Sequence, residues 1–138
     1  MALVVKRVYE KPTRRDGTRV LVDRLWPRGL TKEAVAVDLW LRELAPSNEL
    51  RKWYHENREA WTSFRRQYFC ELRKPEATQA LQHLYKLMSR NRHVTLLFAS
   101  TNLEQNNAVA LKEIVEGTRQ SPTRTRRACA AAARKRSF

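Results

Sequence analysis

The chain is 138 residues long and 42% hydrophobic, with 28 Lys and Arg against 14 Asp and Glu, a net charge of +14. That length supports one domain with a real core, and the composition excludes a chain disordered throughout. No apolar run reaches the length of a membrane span.

Met1 to Val5 is followed at once by Lys6 and Arg7, which is not a signal-peptide pattern. Cys70 and Cys129 lie far apart and lack metal-ligand spacing. Both are therefore read as reduced thiols of a cytoplasmic protein, and no cofactor is expected. The charge is uneven. From Thr118 onward there are seven bases and no acid, so residues 1–117 carry 21 bases against 14 acids, or +7. Residues 1–117 are read as one domain, and 118–138 as a basic tail, disordered alone, with "ACAAAARK" able to form a helix on binding. Both parts favour anionic partners, while a solvated cationic surface is the plainer reading. No membrane partner is expected, and the oligomeric state is open.

In chain order, Leu3 to Tyr9 reads as a first strand, and Lys11-Pro12 and Asp16-Gly17 punctuate the following loop. Thr18 to Asp23 is a stronger strand, apolar on consecutive residues, which suggests burial on both faces. Thr31 can cap a short helical turn over Lys32 to Ala36. Val37 to Leu44 alternates as an edge strand does, with a helix as the rival reading. Ser47 caps the next helix, with Glu49 in its first turn. A longer helix is expected from Asn57, carrying Trp61, Phe64, Tyr68 and Leu72 at helical spacing. Pro75 opens another, with Ala77, Ala80, Leu81, Leu84 and Met88 as its apolar stripe. His93 to Ser100 is a second continuous apolar strand. Thr101 or Asn102 caps the last helix, which Gly117 ends. Buried strands leading into capped helices predict an α/β fold: a small three-layer-like sandwich with a mostly parallel sheet and flanking helices.

In such folds a ligand sits beyond the carboxyl ends of the strands. The second strand delivers Asp23-Arg24 there, followed by Trp26-Pro27-Arg28-Gly29. Adjacent strand residues face opposite ways, so Asp23 and Arg24 need separate partners. Arg28 suits a phosphate or carboxylate, Trp26 can stack on a ring, and Gly29 can supply a positive φ. The later strand delivers Ser100 to the same edge, and the helix that follows brings Gln105 and Asn106.

"RVYEKPTRRDGTRVLVDRLWPRGLTKE", "DLWLRELAPSNELRKWY", "FRRQYFCEL" and "VTLLFASTNLEQNNAVALKE" resemble the YeaO-like branch of the family called domain of unknown function 488 (DUF488). The resemblance covers about Lys6 to Glu116 and leaves the tail outside. It implies a small cytoplasmic bacterial α/β protein and says little about activity. Related branches carry an Asp-x-Arg-x-x-Pro pattern, matched here by Asp23, Arg24 and Pro27 with the register shifted at the Arg. Where the family has a His in "HNxAxxL", this chain has Gln105, which can hydrogen-bond but takes no proton-transfer role. His55 is the nearest match to a second His-bearing stretch.

The chemistry narrows from there. Ser47 has no Ser-His-Asp partners and reads first as an N-cap whose helix terminus can also meet an anion. His55, His83 and His93 lack metal-ligand spacing, so no metal is expected. His55 beside Glu56 is a weak candidate proton shuttle. The aromatics Trp53, Trp61, Phe64 and Tyr68 have the spacing of a buried helix face. Three glycines are too few for a dinucleotide or P-loop motif.

Two functions remain open. The first is a protein holding an anionic or nucleotide-like small molecule, catalytic or not. Arg24, Arg28 and the Ser47 helix terminus would hold the anion, Asp23 would orient it or act as base, Trp26 would cover it, and Ser100, Gln105 and Asn106 would line the site. The alternative is a nucleic-acid-associated protein using its basic surface and tail.

Overall fold

The computed structural model describes residues 2–117. It contains a four-stranded, all-parallel sheet in the order β1-β4-β2-β3. The strands are β1 (Ala2–Arg7), β2 (Thr18–Leu21), β3 (Leu39–Trp40) and β4 (His93–Phe98). The helices are α1 (Lys32–Val35), α2 (Asn48–Glu56), α3 (Trp61–Glu71), α4 (Pro75–Arg90) and α5 (Asn107–Glu116). The architecture is the α/β class expected. None of these helices is long and apolar enough to cross a membrane.

The consecutive apolar residues of β2 and β4 are buried on both faces of the sheet. Val20, Val22, Leu96 and Phe98 join the main core with Leu50, Phe64, Tyr68, Leu84 and Leu111 from α2 to α5. Leu21 and Leu97 point the other way, into a smaller cluster with Val35 of α1, Trp26 and Trp40. The second layer is thin, a single helical turn and a loop. Over the edge strand β1 it is incomplete, and Val4 stays exposed.

The amino ends of β2 and β4 are fixed by a buried polar knot. Asp16 accepts from Lys6 Nζ at 3.1 Å and from Arg19 at 2.5 Å. Its own carbonyl accepts from Thr95 Oγ1. Gly17 has φ of 62°, and a Cβ there would lie 2.2 Å from the His93 carbonyl oxygen, so the turn admits only glycine.

Several boundaries move from expectation. The Val37–Leu44 alternation yields only the two residues of β3, because Arg42–Leu44 turns into a 3-10 helix. Helix α3 begins at Trp61 rather than Asn57, since Asn57 closes α2: its backbone amide bonds the Tyr54 carbonyl. Helix α5 begins at Asn107 with Asn106 as its cap. Asn102 is diverted, its Oδ1 accepting from the Glu104 and Gln105 amides in a turn of its own. Cys70 does not carry the free thiol expected of it. Cys129 and the tail from Thr118, for which disorder was expected, lie outside the described residues.

Candidate functional site

Beyond the carboxyl ends of β2 and β4 lies an open cavity of about 730 Å³. Its floor is made where the central strands part. The Asp23 carboxylate bridges them, with Oδ2 accepting from the Ala99 amide at 2.8 Å. Oδ1 accepts from Asn107 Nδ2 at 2.9 Å, and the same Nδ2 donates to the Val22 carbonyl at 3.0 Å. The Asp23 carbonyl takes Trp40 Nε1 at 2.7 Å. A charged residue ends the core strand because it ties β2, β4, α5 and β3 together at one point. Burial pushes the Asp23 carboxyl above its ordinary value, against the opposing effects of Asn107, the Ala99 amide and the Arg51 charge.

One wall is the turn after β2. Arg24 and Asp23 take separate partners, and the Arg24 guanidinium donates to the Pro46 and Ala45 carbonyls at 3.2 and 3.4 Å. Trp26 donates Nε1 to the Leu30 carbonyl at 2.7 Å and packs edge-on to Trp40 at 5.5 Å between centroids. Its indole is a packed wall, not a free stacking lid. Pro27 is buried, Gly29 turns the chain at φ of 75°, and the Arg28 carbonyl is held by the Tyr9 hydroxyl at 3.0 Å. That clamp leaves the Arg28 side chain exposed at the rim.

The facing wall is α2 and the residues after it. Arg51, Lys52, His55, Glu56 and Arg58 all border the cavity, and Arg51, Lys52, His55 and Arg58 are exposed. His55 Nδ1 lies 3.3 Å from the Arg58 guanidinium. Among the described residues, Arg28, Arg51, Lys52 and Arg58 form no ion pair. Behind them Tyr54 stacks on Phe64 at 4.2 Å, and Phe64 continues to the buried Tyr68. The spaced aromatics are thus mainly core, with Phe64 and Tyr54 also reaching the cavity. The third side is the loop after β4, with Ser100, Gln105 and Asn106.

The cavity therefore gathers Asp23, Arg24, Trp26, Arg28, His55, Ser100, Gln105 and Asn106. Three of these are chiefly structural. Asn106 is buried and caps α5, accepting from the Val109 amide and donating to the Asn102 carbonyl. Ser100 Oγ accepts from the Asn102 amide. Arg24 braces the loop before α2 as described. Ser47 does not join them. It lines a separate, smaller depression with Arg24 and Glu71. Its Oγ accepts from the Leu50 amide and donates to Glu71 at 2.5 Å, and its backbone amide donates to the same carboxylate at 2.8 Å. An internal carboxylate already occupies the place expected for an external anion.

Sequence reasoning missed Asn107, Arg51, Lys52 and Arg58. Arg51 and His55 stand four apart in a helix whose cap was recognised, so their shared face was legible. Asn107 was not, because its role depends on the α5 boundary.

The model of a family described as "Inactive DUF488-N3 subclade" matches residues 2–133. That match runs past Gly117 into residues that the sequence resemblance left outside. The uncharacterised protein YeaO of Escherichia coli is 41% identical over 113 residues, covering 82% of this chain and 96% of its own. Uncharacterised proteins of Mycobacterium bovis and Mycobacterium tuberculosis are each 40% identical, over 82% of this chain and 92% of theirs. No solved structure matches the chain.

Proposed function

The chain belongs to the DUF488 family, in the subclade described as inactive, and from that premise we propose that its cavity binds an anionic, nucleotide-like small molecule without converting it. The observation that carries this reading is the charge of the cavity. Among the described residues, Arg24, Arg28, Arg51, Lys52 and Arg58 face only Asp23 and Glu56 around a space of about 730 Å³. That is within the range of small-molecule sites. Low-dielectric walls lined by one sign of charge concentrate the opposite charge between them.

The rest of the site favours holding over conversion. Asp23 is committed on both oxygens to strand and helix contacts, which suits a fixed acceptor better than a base. Gln105, where the sequence resemblance implies a His, offers no proton-transfer group. His55 lies at the exposed rim beside a cation.

The test is thermal denaturation with inorganic phosphate and nucleoside monophosphates. A ligand that binds only the folded state stabilises it by about 2.7 kcal/mol at one hundred times its Kd. Phosphate or nucleotide should raise Tm, and Arg28→Ala and Arg51→Ala should shrink the rise while the unliganded proteins melt as the parent does. No rise with any anion overturns the reading. A rise only with DNA or RNA, steeply reduced by salt, would favour the nucleic-acid alternative.

A further inference from the structure

The cavity floor presents hydrogen-bond acceptors and its wall presents cations, and this division specifies more than charge. Asn107 Nδ2 commits both its protons, to the Val22 carbonyl and to Asp23 Oδ1. Both neighbours accept only, so the amide cannot be flipped, and its Oδ1 is the atom left over. That Oδ1 accepts no hydrogen bond among the described residues, nor is it among their buried unpaired atoms. It therefore meets solvent, and Asn107 borders the cavity. Among the described residues each Asp23 oxygen takes one donor, and a carboxylate oxygen can accept a second. An anion cannot bind against such a floor. A group with adjacent donors can.

Arg51 borders the same cavity as Asp23 and Asn107, and its charge acts on the Asp23 carboxylate. A ligand whose donors meet Asp23 and Asn107 thus has a cation bordering the same cavity to receive its anionic group. Resting on the anion-binding reading above, we infer that the ligand carries a vicinal diol directed at Asp23 and Asn107 and a phosphate directed at Arg51: a ribose 5-phosphate unit, as in a ribonucleotide. Two neighbouring hydroxyls supply two donors in the spacing that a carboxylate and an adjacent amide oxygen can share.

Isothermal titration calorimetry on the full chain tests this, with ribonucleoside 5′-monophosphates, their 2′-deoxy counterparts and inorganic phosphate as probes. The ribonucleotides should bind about tenfold or more tighter than the deoxy forms, because the deoxy ligand leaves a desolvated acceptor unmet. Asn107→Ala should reduce that ratio, and its Tm should establish that the variant is folded. Equal affinity for the two sugars, with phosphate still bound, overturns the diol and leaves the anion site standing. Binding of none of the probes overturns both. A ribose preference that persists unchanged in folded Asn107→Ala overturns the placement of the diol on this floor.

Discussion

Asp16 and Asp23 respond to burial with opposite outcomes. Burial acts to raise the Asp16 carboxyl, but hydrogen bonds from the Thr13 amide, Lys6, the Thr13 hydroxyl and Arg19 outweigh it and bring it from 3.8 to about 2. Its ionised form then contributes stability above its unfolded value, roughly 2 kcal/mol, which disappears as pH falls towards 2. Asp23 is raised, so its charge costs stability above the shifted value and the cost is relieved as pH falls through it. Replacing Asp16 removes the partner of Arg19, which is only 3% exposed and keeps just the Val35 and Ala36 carbonyls. Asp16→Ala should lower stability by about 3–5 kcal/mol, the cost of breaking a buried pair. It should also flatten the fall in stability between about pH 4 and 2, as read by urea unfolding at several pH values. A cost under about 1 kcal/mol would mean that the pair is solvated and that the knot does not hold the amino ends of the strands.

At the scale of elements, helix α2 separates a cap from a ligand group. Ser47→Ala removes the acceptor of the Leu50 amide and one donor to Glu71. It should cost about 1–2 kcal/mol in denaturant unfolding, with nucleotide affinity unchanged because Ser47 lies outside the main cavity. Weakened affinity at unchanged stability would return Ser47 to the ligand site. The cap itself was legible, as were Thr31, Pro75 and the two continuous apolar strands, because each depends on residues a few positions apart. The edge strand β3 was legible in the Val37–Leu44 alternation, but its shortness was not, since Arg42–Leu44 turns away into a 3-10 helix and only Leu39 and Trp40 pair with β2. Nor was the start of α5. Asn102 and Asn106 are equally good caps in isolation, and the choice falls to Asn106 because Asn102 is engaged in its own turn. The site followed the same division. The strand end supplied Asp23, Arg24 and Arg28, and the spacing of Arg51 and His55 on α2 was open to reading, while Asn107 entered only through tertiary placement.

At the scale of the whole molecule, two groups of cations have different expected responses to salt. The cavity group converges on one small space, whereas the seven bases after Gly117 follow one another without an acid between them. A small ligand bound by two or three groups in a confined site responds weakly to salt. A polyanion releases counterions for every phosphate neutralised, and its affinity falls steeply. Deleting Thr118–Phe138 removes seven positive charges and lowers the net charge from +14 to +7. Affinity for arbitrary duplex DNA should fall, and the slope of log affinity against log salt should flatten by roughly 0.9 for each phosphate that the shortened chain no longer neutralises. Nucleotide binding at Arg28 and Arg51 should persist, because every residue assigned to that cavity precedes Gly117. Fluorescence anisotropy over a salt series measures the first effect and calorimetry the second. DNA affinity unchanged by the deletion would move polyanion binding onto residues 1–117, where the cavity cations are the nearest candidates. In that event nucleotide and DNA should compete for the same arginines, and Arg51→Ala should weaken both.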